Sequence, residues 1–229
     1  MDLIWEYRGQ LWDGTLVTVR LALMSVIVAV ILGLLGAWAK LSRSRLAHRF
    51  ADVYTTLIRG VPELVLMLLV FYGGQQLIND FGYYTGLWDY IEINQFTAGF
   101  LTVGFVYGAY MTETFRGAII AIPRGQIEAA IAYGMSPALV FRRVIWPLMV
   151  RYALPSFTNN WLVLIKATAL VSVIGLQDVV YNGFVAGRST RELFTFMFAV
   201  MVIYLILTAI SDLGLRWLDR KYSAGVRRA

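Results

Sequence analysis

At 229 residues the chain has room for one domain. Its 59% hydrophobic and 15% charged residues exclude an ordinary water-soluble one. The absence of cysteine excludes a disulfide frame and a thiolate metal site. The net charge of +6 does not mark a nucleic-acid binder, because the basic residues lie in short stretches between apolar runs.

The leader reads Met-Asp-Leu-Ile-Trp-Glu and lacks the basic start of a cleaved signal peptide, so the first span is expected to stay in the mature protein. Apolar runs at about 16–38, 54–78, 96–122, 153–176 and 193–217 are each long enough to cross a bilayer. They are expected to be helical, because lipid offers backbone N–H and C=O groups no other partner. The predicted fold is therefore all-α with five transmembrane helices in one domain covering 1–229.

The connection after the first run holds Lys40, Arg43, Arg45 and Arg49. His48 sits among them without metal-ligand neighbours and reads as loop chemistry. At the start of the second run Arg59 and Glu63 stand four apart. The next connection carries no Lys or Arg but has Asp80, Asp89 and Glu92. It is either a solvated acidic loop or a surface for a basic patch on a partner. In the third run Gly104 and Gly108 form a small-xxx-small face suited to close helix packing, and Glu113 and Arg116 stand three apart.

The loop 123–147 reads as helix, sharp turn, helix. Pro123 fits a first helical position, and Glu128, Ala129, Ala130 and Ala132 favour helix. Gly134 can adopt the left-handed conformation that closes a helix. Ser136 reads as an N-cap and Pro137 as the next first position, with a second short helix running to Trp146 and stopped by Pro147. Leu139, Phe141 and Val144 are mixed with Arg142 and Arg143. That surface suits either a protein groove with an acidic rim or anionic lipid.

Lys166 lies within the fourth run. The following loop contains Gly183-Phe-Val-Ala-Gly-Arg-Ser-Thr190, which fails as a phosphate loop: its glycines are too close and Arg188 stands where lysine is needed. The tail after the fifth run carries Arg216, Arg220, Lys221, Arg227 and Arg228. The alternation of basic and acidic connections predicts an outside N-terminus and a cytoplasmic C-terminus.

Charges within spans should face protein or water, because lipid disfavours them by at least about 2.5–3.5 kcal/mol at mid-bilayer. Two readings remain for these groups. Either Glu63 and Glu113 line a translocation path for cationic amino acids, or Arg59, Arg116 and Lys166 serve structural ion pairs. No Ser-His-Asp set or catalytic carboxylate pair is present, so the chain is not expected to be an enzyme. No internal repeat is evident, which weighs against a self-contained secondary carrier using Glu63 or Glu113 as a proton site.

The segment Glu128-Ala-Ala130, Gly134, Val144, Trp146, Pro147 resembles the EAA signature of permeases from ATP-binding-cassette (ABC) importers. The family pattern has Ile and Leu where this chain has Val144 and Trp146. Tyr54–Glu63, Phe71–Gly73, Tyr110–Gly117, Ile165–Ser172 and Gly175–Asp178 are similar to segments of polar amino-acid permeases, in particular the Q-type subunits of histidine and lysine–arginine–ornithine importers. The resemblance implies a type I importer permease fold with a coupling helix in the loop 123–147. ATPase coupling would then fall to Glu128, Ala129, Ala130, Gly134, Ser136, Arg142, Arg143 and Pro147. It further implies a second permease subunit, a cassette ATPase dimer carrying ATP and Mg2+, a periplasmic solute-binding protein, and residence in a bacterial inner membrane. No cofactor or metal is expected on this chain itself.

Overall fold

The computed structural model describes residues 2–223 and is helical throughout, with no strand among the described residues. A short α1 (Asp2–Glu6) leads into α2 (Arg8–Leu41). Next come α3 (Arg45–Gly60), α4 (Glu63–Thr85, with a π turn at Leu69–Gly73) and α5 (Gln95–Ile120). The hairpin helix α6 (Arg124–Ala132) precedes one long helix, α7 (Pro137–Ile174), whose last stretch, Thr168–Ile174, tightens to 3-10 geometry. The chain then forms α8 (Val179–Thr190) and α9 (Leu193–Ser223).

Among the described residues four helices are long and apolar enough to cross a membrane: Arg8–Leu41, Glu63–Thr85, Pro137–Ile174 and Leu193–Tyr222. The segment expected to span at 96–122 is a helix, α5, 26 residues long, but it is not among these four: it is rich in Gly, Thr and Tyr and carries Glu113 and Arg116. The reason is its position. It packs among the other helices, so its neighbours are side chains rather than lipid, and its small and polar residues suit those contacts.

Three boundaries differ from the sequence expectation. The run 54–78 is not one helix. Val61 and Pro62 adopt extended backbone and separate α3 from α4, because proline excludes the helical region for the residue before it and lacks an N–H of its own. Helix α3 instead begins at Arg45, where the Ser44 hydroxyl accepts the Ala47 N–H at 3.3 Å. The fourth run extends back to Pro137, and the connection after it holds α8, whose N-cap carboxylate Asp178 accepts the Tyr181 N–H at 2.8 Å.

The core forms where α2 crosses α5. A Cβ placed on Gly104 would lie 2.6 Å from Val28 Cβ, and one on Gly108 would lie 2.8 Å from Leu32 Cβ. In the other direction Gly33 and Gly36 of α2 lie against Met111 and Thr112 of α5. Each helix thus presents glycines to the other's side chains, and the backbones approach closely. Leu21, Met67, Val103, Met111, Leu164 and Val171 complete the buried cluster.

A second, smaller cluster seats α8. Leu11, Val179, Ala186, Phe196 and Val200 pack there. Hydrogen bonds tie it to α2: Val179 N–H donates to Thr18 Oγ1 at 3.2 Å, and Asn182 Nδ2 donates to the Gln10 carbonyl at 2.8 Å. Asp178 is fully buried, and burial pushes its carboxyl up to about 7 against the backbone N–H bonds that favour the charged form. Gly183 and Gly187 belong to this helix, where Gly183 approaches Val200 and Gly187 approaches Leu193.

Replacing Gly108 with leucine is expected to destabilise the protein by roughly 1–3 kcal/mol or more, because the Leu32 side chain and the Tyr54 hydroxyl already fill the space. The same change at Gly117, where nothing lies within 4 Å, should be near neutral. Thermal unfolding of the two detergent-solubilised variants compares them directly.

Candidate functional site

The hairpin 123–147 projects at the end of the bundle where α2 and α5 finish, which is its basic end. Pro123 is the N-cap of α6, one position earlier than expected, so that Arg124 starts the helix. The other end closes as a Schellman motif. Gly134 has φ +75, its N–H donates to the Ile131 carbonyl at 2.9 Å, and the Met135 N–H donates to the Ala130 carbonyl at 3.1 Å. The turn therefore uses the left-handed backbone that glycine adopts without Cβ strain.

Ser136 occupies the N-cap position of α7 with extended backbone, but its hydroxyl makes no capping bond. Its carbonyl accepts the Val140 N–H at 2.9 Å. Pro137 is at the first helical position. The expectation that Pro147 ends this helix is incorrect. Phe141–Ile145 forms a π turn, and the wider loop moves aside the backbone that the Pro147 ring would strike, so the helix continues to Ile174.

Ala130 is buried on the hairpin's inner side, while Glu128, Ala129 and Gly134 are exposed. Ile131, Tyr133 and Phe141 are also exposed, Tyr133 at 87%. Arg142, Arg143 and Glu128 have no ion-pair partner among the described residues. The outer surface therefore offers apolar side chains ringed by free charges of both signs, the character of a protein-binding patch.

Two open polar cavities of about 500 and 540 Å³ share Arg59, Tyr110 and Glu113, the first between α3, α5 and α7 and the second between α2, α3 and α5. Asn159 and Asn160 of α7 line one and Lys40 lines the other. Asn160 Nδ2 donates to Thr114 Oγ1 at 3.0 Å. Pro155, in the same wall, deprives the Arg151 carbonyl of its helical donor.

Glu113 is the hub of an ion network. Lys40 Nζ lies 2.6 Å from Glu113 and 2.8 Å from Asp52, and Arg116 lies 2.9 Å from Glu113. His48 adds a 3.0 Å contact to Asp52. The Lys40 hydrogen bond holds the Asp52 carboxyl below its ordinary range. The Lys40 side chain is 8% exposed, so its charge is compensated by protein rather than by water.

The spacing of Arg59 and Glu63 does not produce an ion pair, because the break at Val61–Pro62 turns the two apart. Glu63 instead accepts the Tyr107 hydroxyl at 3.0 Å, and the Arg59 guanidinium stands 5.3 Å from the Tyr110 ring centroid. Lys166 is exposed and has no ion-pair partner among the described residues, contrary to the expected core pairing, since Leu164, Ile165 and Ala167 take the buried face. The sequence reading placed Lys40 only as a basic connection residue and missed Asp52, Tyr107, Asn159 and Asn160. The two asparagines were the visible signal, being adjacent amides in an apolar run.

The double-mutant cycle of Lys40→Met and Glu113→Gln is expected to show a favourable coupling of roughly 0.5–3 kcal/mol in thermal or denaturant unfolding. Arg59→Met with Glu63→Gln should show none, since those two side chains do not meet.

Residues 17–224 match the family described as binding-protein-dependent transport system inner membrane component. The chain is 52% identical over 227 residues to the histidine/lysine/arginine/ornithine transport system permease protein HisQ of Escherichia coli K12, covering 99% of each. It is 41% identical to the nopaline transport system permease protein NocQ of Agrobacterium fabrum, covering 96% and 94%. A solved amino acid ABC transporter crystallised with histidines superposes with TM-score 0.80 at 30% identity over 95% and 96% of the two chains. The MetNI methionine ABC transporter shares the fold, with TM-score 0.68 at 16% identity over 97% and 98%. The chain, helical and membrane-integral, belongs to the binding-protein-dependent transport system inner membrane component family.

Proposed function

We propose that the chain is the channel-forming transmembrane subunit of an ABC importer for basic and polar amino acids: histidine, lysine, arginine and ornithine. The observation that carries this reading is the exposed hairpin around Gly134, with its closed turn and unpaired charges, in a chain so similar over its whole length to a permease for those solutes. The arginine ABC transporter permease ArtQ of Haemophilus influenzae, 35% identical, is consistent with it.

In this reading the chain crosses a bacterial inner membrane five times, α5 being the central crossing, with the N-terminus periplasmic and the C-terminus cytoplasmic. The basic end then faces the cytoplasm, as basic connections do. A second homologous permease completes the pore, and a solute-binding protein delivers the amino acid from the periplasm. Coupling to two cassette ATPases, carrying ATP and Mg2+, falls to Glu128, Ala129, Ala130, Gly134, Ser136, Arg142, Arg143 and Pro147: the exposed Glu128, Ala129, Gly134, Ser136 and Arg142 meet the ATPase, the buried Ala130 packs the hairpin from inside, and Arg143 and Pro147 lie at its root. Because α7 runs without a stop from the hairpin to Ile174, closure of the ATPases would move the hairpin and the cavity wall as one lever. Tight turn geometry at Gly134 keeps that lever stiff.

The translocation path runs along Glu63 and Glu113. Among the described residues Glu63 has one hydrogen-bonding partner, Tyr107, and so keeps acceptor capacity for a cationic side chain. Glu113 lines both polar cavities but is already held by Lys40 and Arg116. Its charge serves the cavity's field more than direct coordination, and those two cations also disfavour it as the proton site of a self-contained carrier.

Gly134→Asp is expected to leave the complex assembled while lowering ATP-dependent uptake at least tenfold in proteoliposomes. Uptake at the wild-type rate, or purification of the chain without an ATPase, would remove the coupling role. Glu63→Gln is expected to slow arginine and lysine uptake more than histidine uptake at neutral pH. Equal slowing of all three would remove Glu63 from the path.

A further inference from the structure

Near the basic end, α2, α5, α7 and α9 leave a groove of about 270 Å³ lined only by apolar side chains, among them Val30, Leu34, Phe115, Trp146, Val150 and Leu218. It lies within the reach of one leaflet, about half of a 30 Å hydrocarbon core, from that end. Leu34 lies seven residues before the end of α2 and Phe115 five before the end of α5, so these walls stand about 10 and 8 Å inside the helix ends.

The rim at that end is basic. Arg142 and Arg143 precede Trp146 by four and three residues, which places them about one turn beyond the groove on the outer part of α7. On the opposite wall Lys221 follows Leu218 by three, and its ammonium stands 5.4 Å from the Trp217 ring centroid. Arg142, Arg143 and Lys221 have no ion-pair partner among the described residues, whereas nearby Arg216 is paired with Asp212 at 2.7 Å. Trp146 lines the mouth, is 43% exposed and lies 6.2 Å from the Phe141 ring. It stands where the resembled EAA pattern carries leucine. An indole at the boundary between an apolar groove and a basic rim is placed as membrane-interface tryptophans are.

We infer that this groove is a binding site for one anionic phospholipid, its acyl chain lying between α2, α7 and α9 and its phosphate meeting Arg143 and Lys221. An apolar slot alone would accept any acyl chain. The unpaired cations at its mouth add a preference for negative headgroups over zwitterionic ones. The site is formed by the root of the coupling hairpin, so an occupied groove would brace α7 where it leaves the bilayer. It is independent of which solute the protein carries.

The test uses the protein purified with its co-eluting subunits and placed in phosphatidylcholine nanodiscs. Phosphatidylglycerol or phosphatidylcholine with brominated acyl chains is titrated in, and the quenching of Trp146 is isolated by difference from Trp146→Phe. Half-quenching is expected at a mole fraction roughly fivefold or more lower for phosphatidylglycerol than for phosphatidylcholine. Lys221→Gln and Arg143→Gln, each alone, should shrink that ratio. Equal quenching by the two lipids would overturn the headgroup site. No quenching of Trp146 by either would overturn the groove as a lipid site and show that protein covers it.

Discussion

The close approach of α2 and α5 is the contact on which the other elements depend. Gly104 and Gly108 on one helix and Gly33 and Gly36 on the other bring the backbones together, so that side chains of each fill the other's surface. In a bilayer the packing of apolar side chains gains little from leaving lipid, and close van der Waals contact must supply the attraction. The same approach brings Lys40 from the end of α2 to Glu113 on α5, and Asp52 on α3 closes the network. Packing and charge compensation are therefore two consequences of one helix crossing.

Departures from ideal helix are concentrated where the proposed mechanism needs shape. Pro62 separates α3 from α4 and turns Arg59 and Glu63 toward different tyrosines. The π turn at Phe141–Ile145 accommodates Pro147 and lets one helix run from the hairpin through the bundle. Gly134 closes the hairpin with a positive φ and backbone hydrogen bonds alone. A rigid turn on a continuous helix transmits displacement, whereas a flexible loop would absorb it.

The basic end carries several uses of positive charge at once. Lys40 and Arg116 are consumed within the fold by Glu113 and Asp52. Arg142 and Arg143 remain available at the surface, and Arg59 is presented to a polar cavity against an aromatic face. The sequence shows only that all these groups are basic and lie near apolar runs. Their separation into structural, cavity-lining and surface groups follows from which helix face each occupies.

By itself the sequence determined that the chain is helical and membrane-integral, because the apolar runs are long enough to cross lipid and only helices satisfy their backbone there. It determined the helix break at 134–137 as well, since Gly134 and Pro137 act through local backbone preferences that need no distant partner. Pairings across the fold were left to the tertiary structure. A spacing of four suggested that Arg59 meets Glu63, but the extended backbone at Val61–Pro62 prevented it, and Lys40 met Glu113 across 73 positions instead. The seating of α8 against α2 was also decided by packing and hydrogen bonds between distant segments. Local propensity is written residue by residue, whereas ion pairs and close packing depend on where helices cross, and that is a property of the whole chain.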